Sequence, residues 1–107
     1  MTSRKFSVSV DYDANAAYVS MSDEEIVATI AASDEVLVDL DALRMVVGIE
    51  FLRIDAEIPF RRLVDDFHVH TDDVEKLRAL RPSIAGHLQA AAEGISTTST
   101  SRSFAPV

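Results

Sequence analysis

Three carboxylates near the middle of the chain are the residues with the clearest capacity for chemistry. Asp39 and Asp41 are two positions apart at the end of an apolar run, and Glu50 lies in the next apolar run. Side chains two apart in a strand leave the same face, so we expect this pair to lie together, with Glu50 beside it if the chain turns back. Such a group would bind a divalent cation or share a proton. In the alternative, Asp41 caps the turn, Asp39 is solvated, and Glu50 pairs with Arg44 or Arg53.

Two histidines form a second candidate site. His68 and His70 are separated by Val69, and in an extended segment both imidazoles face the same way. With a nearby carboxylate as third ligand, this spacing suits a metal ion. No Glu-based helical motif accompanies the pair, and His87 lies on a separate predicted helix. We therefore take His68 and His70 as candidate metal ligands, with surface or helix-entry histidines as the alternative.

Other chemical patterns in the sequence are few. It contains no Gly-x-Ser-x-Gly elbow, and three glycines in all leave no phosphate-cradling loop. We predict a non-enzymatic protein with no catalytic residues and no cofactor. The adjacent Arg61 and Arg62, beside Phe60, would hold an anion or a partner carboxylate, or else bridge to an acidic neighbour.

The apolar pattern before residue 53 predicts β-structure that would position the carboxylates. In the first turn Asn15 is suited to a left-handed backbone conformation, and in the last run Gly48 permits a close approach or a bulge. Short connections between successive runs favour a five-stranded antiparallel β-meander over residues 4–52. The predicted strands lie at about 6–11, 16–21, 26–31, 36–41 and 45–52.

The second half of the chain predicts two helices. Thr71 is a predicted N-cap followed by acidic residues, and Pro82 interrupts an apolar stripe, so we place helices at 71–80 and 82–93. Gly94 is a natural stop signal. The stripe packs on the sheet or, alternatively, forms a homodimer interface. Its members are Val74, Leu77, Ile84, Leu88 and Ala91.

These elements together predict an α+β fold, with the meander packed against the two C-terminal helices. We place a single domain over residues 1–94, with its helical part at 58–94. Within it, segment 58–64 is either a helical turn or an edge segment. Residues 95–107 contain seven Ser or Thr and read as a flexible tail.

Charge is distributed unevenly along the chain. The net charge is −8, while residues 6–57 alone hold twelve acids against two bases, giving −10. This acidic body would repel nucleic-acid phosphates and favour a basic partner or cations, the alternative being a solvated surface. With no apolar run long enough to span a membrane and no cysteine, we expect a cytoplasmic protein with no membrane contact.

Two segments of the sequence resemble a small bacterial family, domain of unknown function 2283. Residues 10–21, VDYDANAAYVSM, resemble its opening, Tyr-Asp-Pro-x-Ala-Asp-Ala-x-Tyr-Ile-x-Leu. Residues 39–52, DLDALRMVVGIEFL, look like its second signature, Asp-x-Asp-x-x-Gly-x-x-Val-Gly-Ile-Glu-Ile-Leu. The resemblance covers about residues 5–57 and implies a compact β-rich domain. It also implies, by association with neighbouring toxin-like genes, an antitoxin or partner-binding role.

The sequence departs from the family pattern at several positions. Val10, Tyr12 and Asn15 stand where the family usually has tyrosine, proline and aspartate. Arg44 occupies the usual turn glycine. This hairpin must therefore take a different turn or strain a non-glycine residue by about 1 kcal/mol.

These observations lead to three hypotheses of function. The first is a non-enzymatic binding domain, antitoxin-like, whose partner is a small basic protein. The second is a metal- or small-ligand-binding protein that uses the three carboxylates or the two histidines. The third is a homodimeric structural protein joined through the helical stripe.

Overall fold

The computed structural model describes residues 4–94, which form one five-stranded sheet and three helices. The predicted tail at 95–107 lies outside the described residues. The strands are β1 (Arg4–Asp11), β2 (Ala16–Ser22), β3 (Ala28–Ser33), β4 (Val36–Leu40) and β5 (Val46–Phe51). The helices are α1 (Phe60–Asp66), α2 (Thr71–Ala79) and α3 (Ile84–Gly94).

The sheet is antiparallel throughout, as predicted, but it is not a meander. Its strand order is β1-β2-β5-β4-β3, so β5 pairs with β2 and separates it from β3. The four strands β2 to β5 thus form a Greek key, in which the connection after β2 passes the ends of β5 and β4. A meander was the wrong prediction because short connections do not specify whether the next strand pairs with its predecessor.

Two turns place non-glycine residues in the left-handed region, and both follow the sequence-based expectation. Asn15 has φ 57° and donates its N–H to the Tyr12 carbonyl at 3.3 Å. Arg44, at the usual turn glycine, has φ 67° and donates to the Asp41 carbonyl at 3.0 Å. Arginine therefore keeps the turn geometry at the expense of a strained backbone.

A β-bulge in β5 sets which of its residues face the core. Asp39 pairs with Gly48 and Leu40 pairs with Val46, which leaves Val47 as the extra residue. Val46 and Ile49 consequently both belong to the core, although they are three positions apart. The bulge places Gly48 opposite Asp39, away from the core.

The core lies on one face of the sheet. Phe6, Val8 and Val10 of β1 pack against the same cluster as Val19, Ile49 and other strand residues. The buried residues of the segment after β5 also belong to this cluster, and include Ala56, Ile58, Leu63, Leu77, Leu80 and Ile84. Three residues of the predicted stripe thus pack in or against the core of the same chain, namely Leu77, Ile84 and Leu88. This removes most of the surface on which a stripe-mediated homodimer was predicted.

The helices differ from the prediction in number and in their first residues. Residues 60–66 form a third helix in addition to the two predicted ones, and it overlaps segment 58–64, where a helical turn was one of the two alternatives. His70, rather than Thr71, is the N-cap of α2, because its Nδ1 accepts the Asp72 N–H at 3.1 Å. The start predicted at 82 was two residues early, since the Ser83 hydroxyl accepts the Gly86 N–H at 3.0 Å and α3 begins at Ile84. Within residues 4–94 no helix has the length and apolar character needed to cross a membrane.

Candidate functional site

The face of the sheet opposite the core carries two rows of residues that run across the strands, and most of these residues are polar. We call it the open face. The tyrosine row consists of Ser9, Tyr18, Glu50, Leu37 and Ala31, each paired with the next on the neighbouring strand. The glycine row consists of Ser7, Ser20, Gly48, Asp39 and Thr29, paired in the same way.

A tyrosine connects the two rows. The Tyr18 hydroxyl donates to Asp39 Oδ2 at 2.8 Å, although Tyr18 lies on β2 and Asp39 on β4. To reach it, the phenol crosses β5 directly above Gly48, where a Cβ would overlap the hydroxyl and the ring carbon that bears it. Both features predicted for Gly48 are therefore present, since the Tyr18 ring approaches its backbone closely and the bulge at Val47 lies next to it.

Asp39 is the centre of this arrangement. Its Oδ1 accepts the Thr29 hydroxyl at 2.6 Å while Oδ2 accepts the Tyr18 hydroxyl, and only 9% of the residue is exposed. Hydrogen bonds of this kind to a carboxylate are about twice as strong as neutral ones. The alternative of a solvated Asp39 is wrong, because hydroxyls from two other strands replace water at both of its oxygens.

Negative charge surrounds the Tyr18 ring. Burial, the hydrogen bond to Asp39, and the charges of Asp39 and Glu50 all raise the pKa of Tyr18 well above its ordinary value. The phenol therefore stays protonated and keeps donating to Asp39 across the physiological range. An aromatic ring held in place within a negative field is a favourable position for a cation.

Glu50 is the second carboxylate at this position, on the strand between Tyr18 and Leu37. Within residues 4–94, neither Arg44 nor Arg53 lies at ion-pair distance from it, so the predicted pairing is wrong. Arg53 instead contacts Asp55 at 3.0 Å and Glu35 at 3.7 Å. The charge of Glu50 is consequently available to a ligand on the open face.

A cavity of about 360 Å³ opens beside Tyr18 and Glu50. Asp11 and Ser9 of β1 and the alanines Ala14, Ala16 and Ala17 complete most of its lining. Its two carboxylates and the tyrosine lie next to small side chains, so the cavity has room for the end of a long side chain such as lysine or arginine.

Asp41 does not join Asp39 and Glu50. It lies in the turn after β4, where its Oδ1 accepts the backbone N–H groups of Leu43 and Met45, each at 2.9 Å. This confirms the alternative in which Asp41 caps the turn. The two-residue spacing failed to place Asp41 beside Asp39 because β4 ends at Leu40.

The two histidines lie in the connection from α1 to α2. The His68 carbonyl accepts the Val46 N–H at 2.9 Å, so its backbone forms an isolated parallel bridge with Met45 beside β5, while its side chain is exposed. The imidazole of His70 is occupied as the N-cap of α2. In the part of the chain that the structure describes, no three His, Asp or Glu side chains form a metal-binding group.

Sequence reasoning missed the residue that organises the site. Neither Tyr18 nor Thr29 is among the candidate residues that the sequence indicated. A signal was present, because Tyr18 alternates with Ala17 and Val19, which face the core. A large aromatic side chain on the opposite face of a strand, together with a glycine in the valine run of another strand, is the pattern expected when the ring lies across a neighbouring strand.

The described domain is therefore an α+β domain whose sheet is packed on one face and carries a tyrosine–carboxylate site on the other. Residues 7–54 match the family model described as "Protein of unknown function (DUF2283)". The resemblance seen in the sequence is thereby confirmed. The matched segment contains Tyr18, Asp39 and Glu50, while all three helices follow it. No curated protein and no solved structure matches the chain.

Proposed function

We propose that this chain is a non-enzymatic binding domain whose open face takes a basic segment of a small protein, in the manner of an antitoxin that covers its partner. The observation that carries the proposal is the Tyr18 ring, fixed above Gly48 by Asp39 and adjoined by Glu50. Such a ring presents a preformed platform to a lysine or arginine.

The charges of the site favour a cation over other ligands. Glu50 and Asp11 both line the cavity beside Tyr18, and Asp39 adds a third negative charge at the hydroxyl end of the ring. A guanidinium above the ring would gain a cation–π contact worth about 0.5–2 kcal/mol as well as a carboxylate. The −10 charge of residues 6–57 would increase the association rate of a basic partner.

The geometry favours binding over proton transfer. Both Asp39 oxygens already accept hydrogen bonds from hydroxyl groups, so the carboxylate has little capacity left to act as a general base. The raised pKa of Tyr18 makes the phenolate a rare species and the hydroxyl a poor nucleophile. These groups fix a surface rather than carry out a reaction.

The first experiment asks whether a partner exists. The protein is expressed with an affinity tag together with the product of the adjacent gene, and the purified material is analysed for a complex of the two. We expect a complex that dissociates as salt is raised, because exposed charge pairs are screened. If the protein elutes alone and does not change the toxicity of the neighbouring product, an antitoxin-like role is excluded.

The second experiment tests the site with a defined probe, a hexa-arginine peptide followed by NMR of the labelled protein. We expect saturable shifts centred on Tyr18 and Glu50, and roughly three- to tenfold weaker binding for Glu50→Gln. Glu25→Gln is the matched control, since Glu25 is exposed in the connection after β2 and lies outside the open face. Equal losses in the two variants would mean that the peptide senses only net charge, and the assignment to the open face would be wrong.

A further inference from the structure

A second site lies among the helices, where the fold brings arginines from two segments together. A surface cavity of about 510 Å³ is lined by Phe60, Arg61 and Arg62 at the start of α1 and by Arg81 before α3. Glu57 is the acidic residue of its lining. The sequence shows the first pair of arginines, but only the tertiary structure places Arg81 with them.

A backbone hydrogen bond and two arginine–aromatic contacts hold these segments together. The Ile58 N–H donates to the Pro82 carbonyl at 2.8 Å and joins the two loops next to the cavity. The guanidinium carbons of Arg78 and Arg81 lie 4.8 and 4.9 Å from the centre of the Phe60 ring. Stacking on Phe60 fixes the Arg81 side chain, so less conformational entropy is lost when it binds a ligand.

The cavity carries more positive charge than the carboxylates of the protein neutralise there. Arg62 pairs with Asp66 at 3.4 Å, but within residues 4–94 no carboxylate lies at ion-pair distance from Arg61 or Arg81. Arginines held together without counter-charges repel one another, and this occurs in a chain whose net charge is −8. An anionic ligand would relieve that repulsion.

We propose that this cavity binds a phosphate-bearing small molecule. Guanidinium groups match phosphate oxygens in a bidentate geometry, and several of them together favour a multiply charged phosphate over a single carboxylate. The cavity volume lies in the usual range for small-molecule sites. Carboxylates of the acidic body are largely screened beyond about 8 Å at physiological ionic strength, so the local arginines determine the binding.

This site is independent of the proposed function, because it uses the helical segment and an anion instead of the open face and a cation. It does not belong to the segment that matches the family model, which ends at residue 54. Either proposal can therefore fail without affecting the other.

The test uses the full-length protein, titrated with sodium pyrophosphate and separately with ADP, in a phosphate-free buffer of low salt. NMR of backbone amides and arginine Nε groups reports the site of binding. We expect saturable shifts at Arg61, Arg62 and Arg81, with a dissociation constant of about 1 mM or tighter that weakens with salt. Tighter binding of ADP than of pyrophosphate would identify a nucleotide, whereas equal binding would identify the phosphate group itself as the ligand.

Variants separate a specific site from general charge. Arg61→Gln should weaken binding at least about tenfold, since it removes charge-assisted hydrogen bonds. Arg53→Gln is the matched control, because Arg53 is an exposed arginine paired with Asp55 away from the cavity, and it should bind as the parent does. Arg81→Lys keeps the charge but loses the planar fork, and should weaken binding less than Arg61→Gln.

Three results would overturn the proposal. The first is a titration in which neither anion saturates by about 10 mM, and the second is equal weakening in Arg61→Gln and Arg53→Gln. The third is binding of a phosphodiester oligonucleotide without binding of either small anion, which would indicate a nucleic-acid surface. A circular-dichroism melt of each variant establishes that it is folded, so that a loss of binding is attributed to the site.

Discussion

Replacing Gly48 with alanine tests the physical basis of the open face. The new Cβ would occupy the position of the Tyr18 hydroxyl, so the phenol has to swing away and its bond to Asp39 is lost. Losing a hydrogen bond to a charged acceptor costs about 1.5–3 kcal/mol. In the middle of a strand, alanine is more stabilising than glycine by about 0.5–1 kcal/mol, which offsets part of this loss. We therefore expect Gly48→Ala to lower the free energy of unfolding by about 1–2 kcal/mol.

The effect of Gly48→Ala on the free energy of unfolding should have the opposite sign once the Tyr18 side chain is removed. Gly48 has no positive φ, so alanine introduces no backbone strain there. In a Tyr18→Ala background the added methyl meets no phenol, and Gly48→Ala should stabilise by about 0.5–1 kcal/mol. The difference between the two backgrounds is a coupling energy of about 1.5–3 kcal/mol, which a double-mutant cycle isolates.

Urea unfolding followed by circular dichroism measures all four proteins of this cycle. The slope of the unfolding free energy with urea has to be the same in all of them, so that the differences report stability. The hexa-arginine titration on Gly48→Ala provides a second measurement, since displacement of the ring should also weaken peptide binding. If Gly48→Ala destabilises equally with and without Tyr18, the ring does not depend on the glycine and the reasoning is refuted.

Three further predictions concern the turn and the tyrosine. In urea unfolding Arg44→Gly should stabilise by about 0.5–1 kcal/mol, because glycine carries no Cβ penalty at this positive φ, whereas Arg44→Ala should give no such gain. Asp41→Ala should cost about 1–2 kcal/mol, since two turn N–H groups lose their acceptor, and equal costs for Asp41→Ala and Asp41→Asn would contradict this role. The raised pKa of Tyr18 means that the unfolded chain loses this proton first, so stability should fall as pH rises above about 10. The free energy of unfolding should fall by at most ~1.4 kcal/mol per pH unit, and by less because solvent screens the partly exposed phenol. An unchanged pH dependence in Tyr18→Phe would contradict the attribution of this effect to Tyr18.

Local patterns in the sequence were sufficient for most of the strands and for α2. Alternating apolar residues placed β1 and β2 to within about two residues, because the face that packs on the core has to be apolar wherever the strand lies. The backbone conformation of Asn15 was also predictable, since a tight turn restricts φ irrespective of the surrounding fold. For Arg44 the sequence left two alternatives, and the structure shows the strained one, with φ 67°. The stripe through Leu77 and Ile84 correctly indicated a buried helical surface.

Pairing between distant strands was not predictable in the same way. The meander prediction failed because the side chains of β2 suit either β3 or β5 as neighbour, and only the complete core decides between them. The prediction of which residues form the site failed for a related reason. Asp39 and Asp41 were grouped by their spacing, whereas the actual partners of Asp39 are hydroxyls on β2 and β3.

The sequence by itself therefore determined the class of fold, the left-handed turn at Asn15, the acidic character of residues 6–57 and the family model that residues 7–54 match. These properties depend on local geometry, composition or short motifs. The tertiary structure alone decided that Tyr18 lies over Gly48 and that Arg81 adjoins Arg61. Both arrangements bring together residues far apart in the chain, Arg81 and Arg61 by lining one cavity, and their positions follow from strand order and loop packing, which no local pattern encodes.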